Sequence, residues 1–426
     1  MKSEKKSIQR AWAFYDWANS SYSLIISTAI FPIYYSAITE SHNNGQLEIF
    51  GSSYNSSAVY SATIAASFLL IATLSPYLSA LADVSGRKKA FMRGFVFLGS
   101  ISCMSIFFFT VDHIWIGLVA AFLASIGFSG SLVFYNAFLP EIAEPEEQDG
   151  LSARGFMLGY IGSSLLLIVL LVIIQYPEWL GTTKAYATRW SFVAVGLWWL
   201  LWSFYPLRKL PYNPYHKQAN EGFIGDAYKA LKSAFLTLIR LPRLGRFVMA
   251  FFFFSCGVQT TIFLATLFGT EVLDMKSGDL ILTVLIIQFV AILGAWLFAK
   301  LSALIGNIKA IAVAVLVWVL VCLAAYFITT TNQFLVLGGA VGLVMGGIQA
   351  LARSTYSKML PETEDHATFF SFYDVAEKVS TTLGMGTIAY LSETTGDLRN
   401  AAIALTAFFV ISLIFLFFIP KSKYVY

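Results

Sequence analysis

The chain has 426 residues, 58% of them hydrophobic and 12% charged, with a net charge of +4 and a mean hydropathy of +0.71. Soluble domains carry about 25% charged residues, so this composition excludes an ordinary soluble protein, and long apolar runs without two-residue alternation exclude a membrane β-barrel. Its cations gather at the edges of apolar runs rather than on one soluble face, which argues against a nucleic-acid partner.

A basic stretch, Met1 to Arg10, leads into an apolar segment interrupted by Asp16, Trp17 and Asn19, which reads as a first membrane span rather than a cleavable signal. Apolar runs predict twelve spans, at 12–38, 59–82, 90–110, 114–138, 155–175, 190–207, 246–270, 280–300, 308–329, 333–356, 367–391 and 400–419. Of the 28 Lys and Arg residues, only Lys184, Arg189, Lys276 and Arg399 fall in loops on the outer side, so both termini are expected in the cytoplasm. Between spans two and three lies a short basic hairpin with Asp83, Gly86, Arg87 and Lys88. The longest non-spanning stretch, 208–245, separates six-span halves at 1–207 and 246–426. Around its first half Pro206, Pro211 and Pro214 discourage helix, and a solvated linker is an equal alternative there. Ile224 to Arg240 has apolar residues at helical spacing with Lys229, Lys232 and Arg240 between them, as in a helix lying on the inner leaflet. Cys103, Cys256 and Cys322 lie within apolar runs and offer neither a disulfide framework nor a metal-binding spacing.

The halves repeat. Tyr135, Leu139, Pro140 and Glu141 recur as Tyr356, Leu360, Pro361 and Glu362 at an offset of 221, and Gly86 and Lys89 of the hairpin recur as Gly306 and Lys309 at an offset of 220. Two nearly equal offsets from separate motifs indicate duplicated halves. In the second hairpin Ala303 and Asn307 replace Asp83 and Arg87, so a gate built on the pair is expected to be asymmetric.

Twelve spans, a long central loop and the Asp83, Gly86, Arg87, Lys88 pattern resemble the major facilitator superfamily, although Ser79 and Val84 replace a glycine and a cation of its signature. Trp12, Tyr15, Asp16, Trp17, Asn19 and Pro32, with Phe134 to Glu141, Gly257 to Thr260, Gly346 to Arg353 and Phe369 to Tyr373, resemble the vacuole-effluxer-like family, which includes an autophagy-related vacuolar amino-acid exporter. Many of its members have an acid before the Gly-Val-Gln-Thr of span seven, where this chain has Cys256. The resemblance implies an all-α integral membrane protein of twelve transmembrane helices in two six-helix halves, moving a small polar solute, an amino acid, outward from the cytoplasm or a vacuole. It also implies that the hairpin crosses to the start of span eleven and holds the inner face shut, a gate at Asp83, Gly86, Arg87 and Lys88.

Several polar residues lie inside apolar runs. Asp16, Asn19, Ser20, Ser23 and Ser27 share a sector of about 100° on the first helix, which suits a water-filled cavity, although Asp16 could instead pair locally at the interface. Asp374, Glu377 and Lys378 share another such sector in span eleven; Asp374 and Lys378 can pair four apart, leaving Glu377 either to exchange a proton or to complete a structural triad. In span ten Gly339, Gly342 and Gly346 suit close helix packing, and Gln349 and Arg353 continue the same face. Arg353 has the planar fork that grips carboxylates, or could act as a boundary cation. Tyr135 and Asn136 of span four and Gln259 of span seven are cavity candidates by superfamily position. These residues give an expected substrate site of Asp16, Asn19, Ser23, Tyr135, Asn136, Gln259, Gln349 and Arg353, with proton coupling at Asp16, Asp374, Glu377 and Lys378.

No enzyme motif is present, so an enzyme, a cofactor and a metal are not expected. The expected partners are a small-molecule substrate, protons and membrane lipids, for a monomer in the cell membrane or, in a eukaryote, the vacuolar membrane. A lipid-handling or scramblase protein on the same scaffold is the alternative.

Overall fold

A computed structural model describes residues 2–49, 51–217, 223–395 and 397–420, so linker positions 218–222 and C-terminal positions 421–426 lie outside the description. Helix α1 (Lys2–Ser21) runs through a π-helical segment, Tyr22–Ala29, into α2 (Phe31–Asn43), whose Pro32 stands in the first turn, where a missing N–H costs nothing. A hairpin of β1 (Gln46–Ile49) and β2 (Ser52–Asn55) leads to α3 (Ser56–Val84), capped by the Asn55 side chain. Then come α4 (Lys88–Ser105), α5 (Ile114–Ala137), the single turn α6 (Leu139–Ile142), α7 (Pro145–Gln175) and α8 (Lys184–Lys209). After α9 (Phe223–Arg240) follow α10 (Pro242–Glu271), α11 (Ser277–Ile305), α12 (Asn307–Phe327), α13 (Thr331–Met359), α14 (His366–Thr395) and α15 (Leu398–Phe417).

Eleven helical segments among the described residues are long and apolar enough to cross a membrane. α14 has 30 residues, ample length, but its charged cluster keeps it below that apolarity. It packs against α3, α5, α10 and α15, and with it the described long helices are consistent with the twelve spans expected. Helices outrun the apolar runs that predict them where caps extend them. α7 begins at Pro145 rather than 155 because Glu144 and Glu147 form a reciprocal capping box.

In the first half α1 packs on α7 and α8, and α4 on α5 and α8; in the second, α11 packs on α13, and α10 on α14 and α15. The halves meet where α7 touches α11 and α13, and where α14 touches α3 and α5. Small residues permit the closest approaches: a Cβ on Gly342 or Gly346 would lie 2.5 or 2.1 Å from a carbonyl oxygen of α11. The α3–α4 and α11–α12 turns lie at the same end of the bundle as the start of α1, here termed the basic face: Lys5 pairs with Glu144 and Glu147, Lys88 with Glu141, and Asn307 donates to Asp149. Both turns contain a glycine at positive φ, Gly86 at +66° and Gly306 at +85°, so the glycine matched in the sequence repeat takes a positive φ in both, although the first turn is longer.

Candidate transport site

A cavity of about 310 Å³ lies between the halves, within the range of small-ligand sites. Its floor, toward the basic face, is an ion pair joining them. Asp16 on α1 and Arg353 on α13 are both buried, and both Arg353 terminal nitrogens donate to Asp16 Oδ2 at 3.1 Å. Tyr135 on α5 donates its hydroxyl to the same oxygen at 2.8 Å. The remaining guanidinium donors are also engaged: Nε meets Ser152 Oγ at 2.9 Å, Nη2 the Ser152 carbonyl at 2.9 Å, and Nη1 reaches Asn136 Oδ1 at 3.5 Å. The guanidinium carbon lies 4.2 Å from the Phe156 ring centroid and 4.8 Å from that of Trp12. Gly155 makes room for the pair, since a Cβ there would stand 2.4 Å from Asp16 Oδ2 and 2.9 Å from Arg353 Nη2.

The second charged group lies on α14. Lys378 Nζ is 3.7 Å from Asp374 and 3.8 Å from Glu377, and sits over the Phe68 ring of α3. Gln259 on α10 donates to Glu377 Oε1 at 2.6 Å. Asp374 is buried behind the wall, whereas Glu377 and Lys378 line the cavity.

Among the expected substrate residues, Asp16, Asn19, Ser23, Asn136, Gln259, Gln349 and Arg353 line the cavity; Tyr135 lies behind it, holding Asp16. Asn19 Nδ2 is buried without a partner, and Gln349 accepts a hydrogen bond from Tyr160 at 2.8 Å, across the two halves. Ser27 does not line the cavity; Thr28 does. The π-helical turn advances the register by one residue, so the neighbour of Ser23 on the next turn is the fifth residue on, and Thr28 Oγ1 donates to the Ser23 carbonyl at 3.0 Å.

At the basic face two groups of hydrogen bonds join the halves, placed where a latch is expected. Asp83, at the end of α3, accepts from the N–H groups of Ala367 and Thr368 at 3.3 and 2.7 Å and from the Thr368 hydroxyl at 2.8 Å, using unpaired donors in the first turn of α14. Lys88 pairs with Glu141, which also meets His366 Nδ1 at 3.1 Å. Gly86 is tight against the linker residue Asn213, and the Arg87 side chain is exposed. In the second latch Asp149, early in α7, accepts from Ser302 at 2.9 Å and from Asn307 at 2.8 Å, with Lys358 at 2.8 Å. The asymmetry takes the form of exchanged polarity: the acid absent from the second hairpin is supplied by the helix it faces.

The linker adds contacts at the same face. Lys217 reaches Asp365 at 3.0 Å and Glu364 at 3.5 Å. Burial opposes its ammonium, but the hydrogen bond to Asp365 and the surrounding carboxylates raise its pKa above the usual lysine value. Burial, then the negative charges of Glu141, Glu364 and Asp83, push the nearby Tyr215 hydroxyl upward as well.

A sequence model of the family described as "Vacuole effluxer Atg22 like" matches residues 4–424. The chain belongs to this family. It is 33% identical over 418 residues to the uncharacterized MFS-type transporter YxiO of Bacillus subtilis, covering 97% of this chain and 95% of that one. It is 24% identical to Autophagy-related protein 22-1 of Aspergillus fumigatus, over 88% of this chain and 77% of that one. Two solved structures share the fold. The fucose transporter FucP in its outward conformation superposes with a TM-score of 0.72 at 15% identity, over 98% and 99% of the two chains. The human organic anion transporter MFSD10 does so with 0.73 at 12% identity, over 97% and 99%. The chain is therefore a multi-pass membrane transporter of the major facilitator type.

Residues that sequence reading missed have short-range identities that mean little alone. Asp149 and Ser152 sit in an ordinary capped helix start, and Tyr160 in an apolar run; the only signal is their place beside Gly155 and Gly159, the glycines that bring α7 against α1.

Proposed function

We propose that this protein exports a small polar solute, an amino acid, by alternating access of its two halves, with a proton as the coupled ion. The observation that carries the reading is the cavity itself: both halves wall it, an inter-half ion pair floors it, and latches seal it from the basic face. With the termini in the cytoplasm, as the cation bias expects, this is the state from which solute leaves on the far side. Opening to the cytoplasm would separate α3 from α14 and α7 from α11 and α13. The carboxylates placed to exchange a proton are Asp16, on the ion pair that must part, and Asp374 and Glu377, which share Lys378. A cavity walled by helices of both halves favours a soluble solute over a lipid. The test is flux of amino acids into inside-out proteoliposomes with and without an imposed pH gradient. Gradient-driven accumulation supports the reading. Labelled-lipid flip without solute flux would replace it by the lipid-handling alternative, and flux indifferent to pH would remove proton coupling.

A further inference from the structure

We propose that the cavity recognises its solute through a protonated amine seated on Glu377 beside Gln259, and that a carboxylate on the solute is dispensable. The inference rests on the transport reading above and narrows its substrate class to primary ammonium compounds with an apolar body.

The charged groups of the wall are not equally available. Arg353 would be the natural anchor for a carboxylate, but it is only 3% exposed, and its donors are taken by Asp16, Ser152 and Asn136. Asp16 takes Tyr135 and both Arg353 nitrogens on Oδ2, and its charge is matched by the Arg353 guanidinium it pairs with. Lys378, the other cation, is shared between Asp374 and Glu377 and covered by the Phe68 ring. Its side chain is 9% exposed.

Glu377 is different. Its side chain is 24% exposed, the most open of these five charged groups, and one oxygen is oriented by the short bond from Gln259. Asp374, Glu377 and Lys378 together hold one carboxylate more than they hold cations, whereas Asp16 and Arg353 balance. With Asp374 and Glu377 both ionised, the cavity therefore carries a net negative charge, and Glu377 is its open end. An ammonium can complete the Glu377 pair without dismantling any bond in the structure, while a carboxylate would have to displace Asp16 or Asp374 from its partner and bury a repelled charge. Phe251, Phe254 and Phe156 also line the cavity and supply apolar surface for the body of the solute.

The test uses the full-length protein in detergent and three probes with one body: phenethylamine (cation), phenylalanine (zwitterion) and 3-phenylpropionate (anion), with binding measured by titration calorimetry. Phenethylamine and phenylalanine are expected to bind within roughly tenfold of each other, with 3-phenylpropionate at least about tenfold weaker than both. Glu377→Gln should weaken phenethylamine roughly ten- to a hundredfold, and Glu377→Asp less. The comparison of probes on the unaltered protein needs no variant to fold. Equal or tighter binding of 3-phenylpropionate overturns the inference, as does a folded Glu377→Gln protein that binds phenethylamine unchanged. Failure of both ammonium probes to bind while an amino acid still moves in the liposome assay overturns this inference and leaves the export reading standing. Phenethylamine binding without any amino-acid flux does the reverse.

Discussion

Asp83→Asn isolates the first latch, because it keeps side-chain shape and removes charge. The aspartate accepts three hydrogen bonds from the first turn of α14 and lies 3.8 Å from Lys88. An asparagine offers one acceptor oxygen and presents an amide NH2 where the other stood. Bonds to a charged acceptor contribute about 1.5–3 kcal/mol against about 0.5–1.5 for neutral ones, and the helix-terminus attraction adds up to about 2. Because the asparagine retains part of the bonding, the net loss should be about 2–3 kcal/mol, a roughly thirty- to hundred-and-fifty-fold shift in the balance between closed and open basic face. Spin labels at Glu146 and Glu364, exposed on the two sides of that face, would report it as a longer inter-label distance by pulsed EPR. The native cysteines are buried and should not compete for label. Solute affinity should survive, since Asp83 lies outside the cavity lining. An unchanged distance distribution combined with lost solute binding would refute the latch.

Other perturbations follow from the same contacts. Gly155→Ala places a methyl 2.4 Å from Asp16 Oδ2, so thermal unfolding in detergent should show a loss of about 1–3 kcal/mol, and a Tm equal to the parent's would contradict the packing described. Arg353→Ala leaves Asp16 buried without its cation and should cost about 3–5 kcal/mol, whereas the double change Asp16→Asn, Arg353→Gln should cost less; a double variant as unstable as the single would mean that the charges are not what couples the sites. Lys217 has a raised folded-state pKa, so its contribution is complete below the unfolded lysine value and is lost only as pH rises through the higher folded value. The linker contact with Asp365 should therefore persist from neutral to mildly alkaline pH, and its loss in that window by EPR would count against the pairing.

Much of the architecture was legible because membrane helices announce themselves: hydrocarbon-length runs, cations at their ends and a repeat offset near 220 residues. The reach of the first hairpin to α14 followed from family resemblance, and Asp83 does meet Thr368. What stayed hidden depends on geometry that periodicity cannot carry. The π-helical turn exchanges Ser27 for Thr28 in the cavity, because an ideal 100° step fails where the helix is wound with one extra residue. Arg353 read as a carboxylate fork, and nothing in its neighbourhood along the chain shows that a carboxylate 337 positions away would occupy it. The second latch was invisible for a related reason. Loss of the acid at Ala303 suggested a missing contact, while its replacement, Asp149, sits on the opposite partner. Likewise Cys256 stands where the family resemblance implies an acid, and the nearby Gln259 meets the carboxylate of Glu377 from α14.

The floor pair has a stricter consequence than the latches. Asp83 and Asp149 lie at the basic face, where water can replace their partners as the halves part. Asp16 and Arg353 are buried between α1, α7 and α13, and Arg353 holds Ser152 and Asp16 at once, so the face cannot open with the pair intact. Separating it leaves a carboxylate and a guanidinium in a wall of Trp12, Tyr135 and Phe156 unless one is neutralised or hydrated. A proton on Asp16 would remove one charge and weaken both bonds from Arg353, which under the proposed proton coupling would tie opening to proton uptake. Asp16→Asn mimics that protonated state permanently. It should still exchange labelled for unlabelled solute across the liposome membrane, because the halves can part, but should no longer accumulate solute under an imposed pH gradient. Accumulation equal to the parent's in Asp16→Asn would place the coupling proton elsewhere, with the α14 carboxylates the next to be neutralised.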